Sequence, residues 1–272
     1  MMYHLHITYA LHGRSRRSAV RIIAVTNQKG GTGKTTTVVN LGFALAQGGF
    51  RTLLVDLDAQ GNLGISFGIE GERSLYHILV EGADPNACAV NVRPNLDLIP
   101  SNETVASAEL IMTGEPGREK LLARRMHGIR PYDVVFLDRP PSLSLLSQNA
   151  LTYAEEVLIP ISMDYLALIG VKQILKTITM INEVLEHPVT ISGIVPTFYD
   201  IRNRISREVL TTLKEHFGKR VLSPIRVNTK LREAPSHKQS IFEYDPHSYG
   251  AQDYQRLANE VLQHGEKTST GR

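Results

Sequence analysis

The 272-residue sequence predicts an α/β fold in which helices cover both faces of a mostly parallel, doubly wound sheet. Two patterns point to it. Short runs that are apolar throughout, rather than alternating, recur along the chain and are separated by helix-patterned stretches. The first of these runs, Arg21 to Thr26, leads into Gln28-Lys29-Gly30-Gly31-Thr32-Gly33-Lys34-Thr35-Thr36. A strand that feeds a glycine-rich turn and then opens a helix is a phosphate-binding arrangement, because the turn aims successive backbone N–H groups at one anion and the helix N-terminus adds partial positive charge.

In chain order, the first helix is predicted from about Lys34 to Gln47, where Gly48-Gly49 stop it. Arg51 to Asp58 reads as a buried strand ending in two acids, and Ala59 to Asn62 as a loop. A short helix is expected from Ser74 to Glu81, a strand from Leu96 to Pro100, and helices over Glu103 to Met112 and Arg118 to His127. Tyr132 to Asp138 is a strand with an acid at its C-terminal end, and Pro140-Pro141 prevents its continuation. The alternation resumes with a strand over Glu156 to Ile161, a helix over Tyr165 to Leu185 and a strand over Ile191 to Phe198. A helix over Arg204 to Phe217, a strand over Val221 to Val227 and a helix over Ser248 to His264 complete it. These elements form one predicted domain, residues 21–265. Before it stands a basic tail, residues 1–20, expected to be disordered and carrying His4, His6, His12, Arg14, Arg16 and Arg17. After it comes a polar tail, residues 266–272.

Composition narrows the function classes. Apolar content of 42% and charged content of 21% are ordinary for a globular chain, and the formal net charge is +3. Cys88 is the only cysteine, which excludes an intramolecular disulfide and a cysteine-rich cluster and fits a reducing compartment. No apolar run approaches the roughly 18 residues that a membrane span requires.

Ligands of doubly wound sheets bind at the carboxyl ends of the strands. The glycine loop, the Asp56/Asp58 pair and Asp138 all fall on that edge. Hydrolysis of a nucleoside triphosphate needs a phosphate cradle, Mg²⁺ and a group that orients water. Gly30, Gly31, Thr32, Gly33 and Thr36 belong to the cradle, Lys34 is placed to reach the outer phosphates, and the Thr35 hydroxyl to hold Mg²⁺. Asp138 fits the acid that holds the metal's water shell and Asp58 the group that orients the attacking water, and Asp58 is also counted with Thr35 and Asp138 among the residues expected at the metal. Asp56 is a further candidate for contact with the ligand. The usual loop pattern has glycine where Gln28 stands, and a second lysine, Lys29, occupies the loop entrance.

Lys29-Gly30-Gly31-Thr32-Gly33-Lys34-Thr35-Thr36 resembles the deviant Walker A motif of the ParA/MinD ATPases. Leu54 to Asn62 and Phe136 to Leu143 resemble the next two motifs of that family. Tyr199-Asp200-Ile201-Arg202 and Glu233-Ala234-Pro235-Ser236-His237 are similar to its ParA/Soj partitioning branch. The resemblance spans roughly Arg21 to Gly265. It implies a P-loop NTPase fold, ATP and ADP as ligands, Mg²⁺, and slow ATP hydrolysis stimulated by a ParB-type partner. Lys29 is then the lysine that crosses to the ATP of a second subunit, giving an ATP-dependent homodimer that sandwiches two nucleotides. Asn228 and Pro235 are the implied nucleobase contacts. The resemblance also implies non-specific binding of double-stranded DNA and a cytoplasmic, nucleoid-associated protein.

The residues offer their own support for DNA. Between Thr197 and Ser240, ten Lys/Arg face four acids, an excess that can neutralise phosphates without reading bases. Arg202, Arg226 and Lys230 are the predicted contacts, although lysine at 230 lacks the two-pronged fork of arginine. The sequence departs from the family pattern at Ala59, at Arg139 (where relatives carry cysteine) and in Ile225-Arg226-Val227-Asn228. A membrane-cycling regulator of the MinD type would need an amphipathic C-terminal helix, and Gln263 to Arg272 has no apolar face. A nitrogenase-type reductase would need more than one cysteine to bridge a cluster.

Overall fold

The computed structural model describes residues 20–142, 144–164, 167–184 and 187–269. Strand β1 (Arg21–Val25) leads through the glycine loop into α1 (Lys34–Gln47), followed by β2 (Thr52–Asp56), α2 (Asn62–Phe67), α3 (Leu75–Leu79) and α4 (Pro85–Cys88). Next come β3 (Val90–Arg93), β4 (Leu96–Ile99), α5 (Thr104–Met112), α6 (Leu121–Arg125), β5 (Val134–Asp138) and α7 (Leu145–Tyr153). The chain continues through β6 (Glu156–Ser162), α8 (Ala167–Val184), β7 (Thr190–Thr197) and α9 (Arg204–Phe217). It closes with α10 (Lys230–Glu233), α11 (Ile241–Tyr244) and α12 (Tyr249–Ser269).

The seven strands form one sheet in the order β3-β4-β2-β5-β1-β6-β7. Every pairing is parallel except the edge pair β3–β4. The predicted doubly wound sheet is therefore present. Its central strands send alternate side chains to opposite faces. Ile23, Val25, Leu54, Val134 and Phe136 join the core beneath α1 and α12. Ala24, Leu53, Val55, Val135 and Leu137 join the core on the other face, with α3, α5, α6 and α7. All of these side chains are at most 2% exposed, so both faces are sealed.

Sequence and structure differ in several places. The predicted strand Val221 to Val227 is not a strand. The segment runs beside β7 and gives backbone hydrogen bonds from Leu222 to Ile194 and from Ile225 to Pro196, but Pro224 has no N–H and only isolated bridges form, at Val221 and Arg226. Helix α7 and the antiparallel strand β3 were not predicted, and the predicted loop at Asn62 is the start of α2. The predicted tail of residues 1–20 lies, apart from Val20, outside the described residues, and α12 runs on to Ser269 through part of the predicted polar tail.

Strand order is what builds the site. Because β1 and β2 both flank β5, Val25 and Asp56 are each in register with Asp138. The phosphate loop and two strand-end acids are thus set side by side.

Candidate active site

The glycine loop leaves β1 at Thr26 and re-enters regular structure at Lys34. Gly31 and Gly33 have φ of +70° and +84°, the left-handed region that side chains resist, so the turn is built on them. Gly33 caps α1, with no side chain bonded to the first-turn N–H groups and no acidic residue in that turn. Those donors and the helix dipole are left for an anion. The loop is tethered from both sides. Asn27 donates to the Pro160 carbonyl at 2.7 Å and accepts the Lys29 N–H at 3.0 Å, and the Thr197 hydroxyl donates to the Thr32 carbonyl at 2.9 Å.

Lys34 is buried, and its Nζ donates to the Lys29 carbonyl at 3.3 Å. Burial lowers its pKa, while Asp138 and Asp58 nearby pull it up. The Thr35 hydroxyl donates to Asp138 Oδ2 at 2.6 Å. Burial pushes the Asp138 carboxyl up to about 7, against the hydrogen bond from Thr35 and the charge of Lys34. Its other oxygen, Oδ1, is buried without a hydrogen-bond partner, as is the Thr32 hydroxyl. An orphaned buried carboxylate oxygen beside a threonine hydroxyl is the donor set of a hard cation such as Mg²⁺. Among the described residues no group of three or more His, Cys, Asp or Glu is arranged to hold a metal. A cation here would draw its other ligands from phosphate and water, which suits Mg²⁺.

Asp56 and Asp58 occupy different positions. The Asp56 carboxylate is fully buried, accepting the Asp58 N–H at 3.0 Å through one oxygen and the Leu63 N–H at 3.0 Å through the other. Burial and the neighbouring Asp138 hold its pKa well above the usual carboxylate range. Asp56 therefore clamps the turn that carries Asp58 and the start of α2. Asp58 lies past the strand end, half-buried, with Oδ1 accepting the Gln60 N–H at 3.0 Å. Gly61 allows this loop to close, since it has φ +64° and a Cβ there would stand 2.8 Å from the Ser101 carbonyl oxygen.

Lys29 does not point away from its own chain. Its ammonium pairs with Asp164 and lies 3.4 Å from the Ser162 hydroxyl, which itself donates to Asp164 at 2.6 Å. Asp164 was missed in the sequence, although an acid two residues past the end of β6 is a signal of the same kind as Asp58 past β2. Pro235 lines a cavity of about 220 Å³ with Thr35, Thr36, Asn40, Leu231 and Gln239. Asn228 does not line it, and its Oδ1 accepts the Lys230 N–H at 2.8 Å.

The three predicted DNA contacts are each engaged within the chain. Arg202 forms a two-pronged pair with Asp200, with N–O distances of 3.0 and 2.8 Å, which lowers the Asp200 carboxyl to about 2. Arg226 makes a similar fork to Asp253, which is fully buried, and lies over the Tyr249 ring at 4.1 Å. Lys230 pairs with Glu233 at 2.8 Å, and the Tyr244 hydroxyl donates to the same carboxylate at 2.8 Å. Arg207, Lys214, Lys219, Arg220, Arg232 and Lys238 are exposed in the same region.

Comparison with known proteins agrees with this geometry. A family model described as an AAA domain matches residues 20–191. A second, described as 4Fe-4S iron sulfur cluster binding proteins of the NifH/frxC family, matches residues 148–270, a span without cysteine. The chain is 42% identical over 251 residues to the sporulation initiation inhibitor protein Soj of Bacillus subtilis, covering 90% of this chain and 99% of that protein. It is 42% identical over 249 residues to the chromosome-partitioning ATPase Soj of Thermus thermophilus, covering 90% and 97%. Among solved structures, cobyrinic acid a,c-diamide synthase from Mycobacterium smegmatis, crystallised with an ATP analogue and magnesium, superposes with a TM-score of 0.78 at 34% identity, covering 91% of this chain and 96% of that one. With this agreement along nearly the whole chain, the protein belongs to the Soj/ParA family of partitioning ATPases.

Proposed function

We propose that this chain is a DNA-segregating ATPase whose ATP-bound form is a dimer that binds DNA without sequence preference. A ParB-type partner stimulates hydrolysis and so releases the DNA. The observation that carries the reading is the pairing of two lysines on one phosphate loop. Lys34 is buried under the loop and serves the nucleotide held by its own chain. Lys29, half-exposed at the loop entrance, has the reach to leave Asp164 for the triphosphate of a second subunit.

In this reading, the α1 N-terminus and loop N–H groups bind the phosphates, and Thr35 and Asp138 hold Mg²⁺, which supplies charge neutralisation at the transferred phosphoryl group. Asp58 accepts a hydrogen bond from the attacking water and so orients it. Lys34 and Lys29 balance the charge that develops on the phosphate oxygens from two sides.

A metabolic enzyme on the same scaffold is the competing reading, since the M. smegmatis structure carries such a title. Co-sedimentation with plasmid DNA in the presence of ATP, ADP or no nucleotide separates the two. DNA should pellet with the protein in ATP alone. Equal recovery under all three conditions would remove the ATP-controlled DNA-binding state.

A further inference from the structure

Arg139 is among the largest fully buried side chains of the described residues, 1% exposed. It follows Asp138 directly and borders the same small interior space as Thr26, Gln28, Leu151 and Thr177. Its Nε donates to the Thr26 hydroxyl and its Nη1 to the Ser142 carbonyl at 3.3 Å. Among the described residues it has no ion-pair partner, and burial lowers its pKa to about 10, so the group stays cationic at neutral pH. A buried cation without a counter-charge is costly to keep, and among the described residues these two hydrogen bonds are what offset it.

The bonds join two segments of the site. Thr26 is the residue through which β1 enters the phosphate loop, and its N–H is fixed to the Leu158 carbonyl at 2.9 Å. Ser142 ends the segment that follows Asp138, and its carbonyl also accepts the Ser147 hydroxyl of α7 at 2.6 Å. Pro140-Pro141 lies between Arg139 and Ser142, and two fixed φ angles make that link stiff. A shift at the base of the loop is therefore carried through the guanidinium to Ser142 and the first turn of α7, rather than absorbed on the way.

We propose that Arg139 is a positioning residue that couples nucleotide occupancy of the phosphate loop to the Pro140–Ser142 segment and the N-terminus of α7. The proposal rests on the ATPase reading above. The planar fork matters here, because lysine offers charge but cannot hold both acceptors in one fixed geometry.

Hydrogen–deuterium exchange on the full chain, with and without AMPPNP and Mg²⁺, reads this directly. In the unsubstituted protein, nucleotide should slow exchange both in peptides spanning residues 27–36 and in peptides spanning 139–153. Arg139→Met, which fills similar space without donors, should keep the first effect and lose at least fivefold of the second. Arg139→Lys should fall between the two. A part that merely fills space would change melting temperature and leave the nucleotide-dependent difference in 139–153 intact. Retention of that difference in Arg139→Met overturns the proposal, as does its absence in the unsubstituted protein when 27–36 responds. If Arg139→Met does not fold, a response in Arg139→Lys equal to that of the unsubstituted protein is overturning. If 27–36 fails to respond in the unsubstituted protein, the nucleotide-binding reading is what falls.

Discussion

Glycine does two different jobs within the phosphate loop. A Cβ at Gly30 would meet nothing within 4 Å, and its φ is not in the left-handed region, so the fold itself tolerates a side chain there. At Gly33 there is room for a Cβ, whose nearest neighbour, Thr197, would lie at an ordinary 3.7 Å, but its φ of +84° favours glycine. Gly30→Val should melt within about 0.5 kcal/mol of the parent, as a surface change does, yet lose ATP-dependent dimerisation. Gly33→Ala should lose roughly 1–2 kcal/mol, the order of the cost of a left-handed non-glycine residue. Denaturation midpoints and size-exclusion chromatography in ATP distinguish the two, and a normal ATP-bound dimer for Gly30→Val would remove the sandwich. Asp58→Ala should bind ATP and dimerise but not turn over. Normal phosphate release by that variant would take Asp58 out of the mechanism. Asp138 contributes to the pH dependence together with its buried neighbour Asp56, whose pKa is raised in the same direction. In metal-free protein the folded pKa of Asp138, about 7, lies above the unfolded value near 3.8, so the native state holds a proton that the unfolded chain releases. That contribution to stability is complete below the unfolded value and is lost as pH rises toward 7. Mg²⁺ needs the deprotonated form, so its stabilising effect should be larger at pH 8 than at pH 6 in thermal melts, and Asp138→Asn should flatten the difference.

Elements explain which parts of the site could be read in advance. The residues proposed to touch phosphate or metal follow directly from strand ends and a glycine turn, and the structure places Lys34, Thr35, Asp58 and Asp138 together at one edge. The β2 strand stops at Asp56, which frees Asp58 to sit in the following turn and leaves Asp56 as its buried clamp. That division of labour depends on where the ladder ends, and an apolar run ending in Asp-Leu-Asp does not encode it. The strand misread at Val221 to Val227 has the right apolar pattern, but Pro224 interrupts its ladder. The partner of one predicted DNA contact, Arg226, was illegible for another reason. Asp253 lies on α12, distant in sequence, and only the docking of that helix brings it to Arg226. Arg226→Ala should therefore act first on stability, costing roughly 2 kcal/mol, because it leaves the buried Asp253 carboxylate only the backbone N–H of residue 226 at 3.0 Å and the more distant Arg256. Lys230→Glu and Arg202→Glu should melt like the parent and lose DNA binding while ATP binding is kept. If both still shift plasmid DNA at moderate salt, the basic face lies elsewhere.

For the whole molecule, the proposed nucleotide site lies at one edge of the sheet while the C-terminal third gathers the basic residues, so the two proposed ligands meet different parts of one domain. Arg202, Arg226 and Lys230 each already own a carboxylate. Contact with a DNA backbone is then an exchange of one anion for another, and every carboxylate released recruits a cation from solution. Such uptake works against the ions that the DNA sheds, roughly 0.9 per phosphate neutralised. The affinity of this protein for DNA should fall with salt less steeply than its number of phosphate contacts dictates. Asp200→Asn and Glu233→Gln, by removing the resident anions, should bind more tightly and show the steeper slope. An unchanged slope in the double variant would mean that these side chains never leave their own carboxylates, and that a chain built this way would meet DNA through its unpaired lysines and arginines instead.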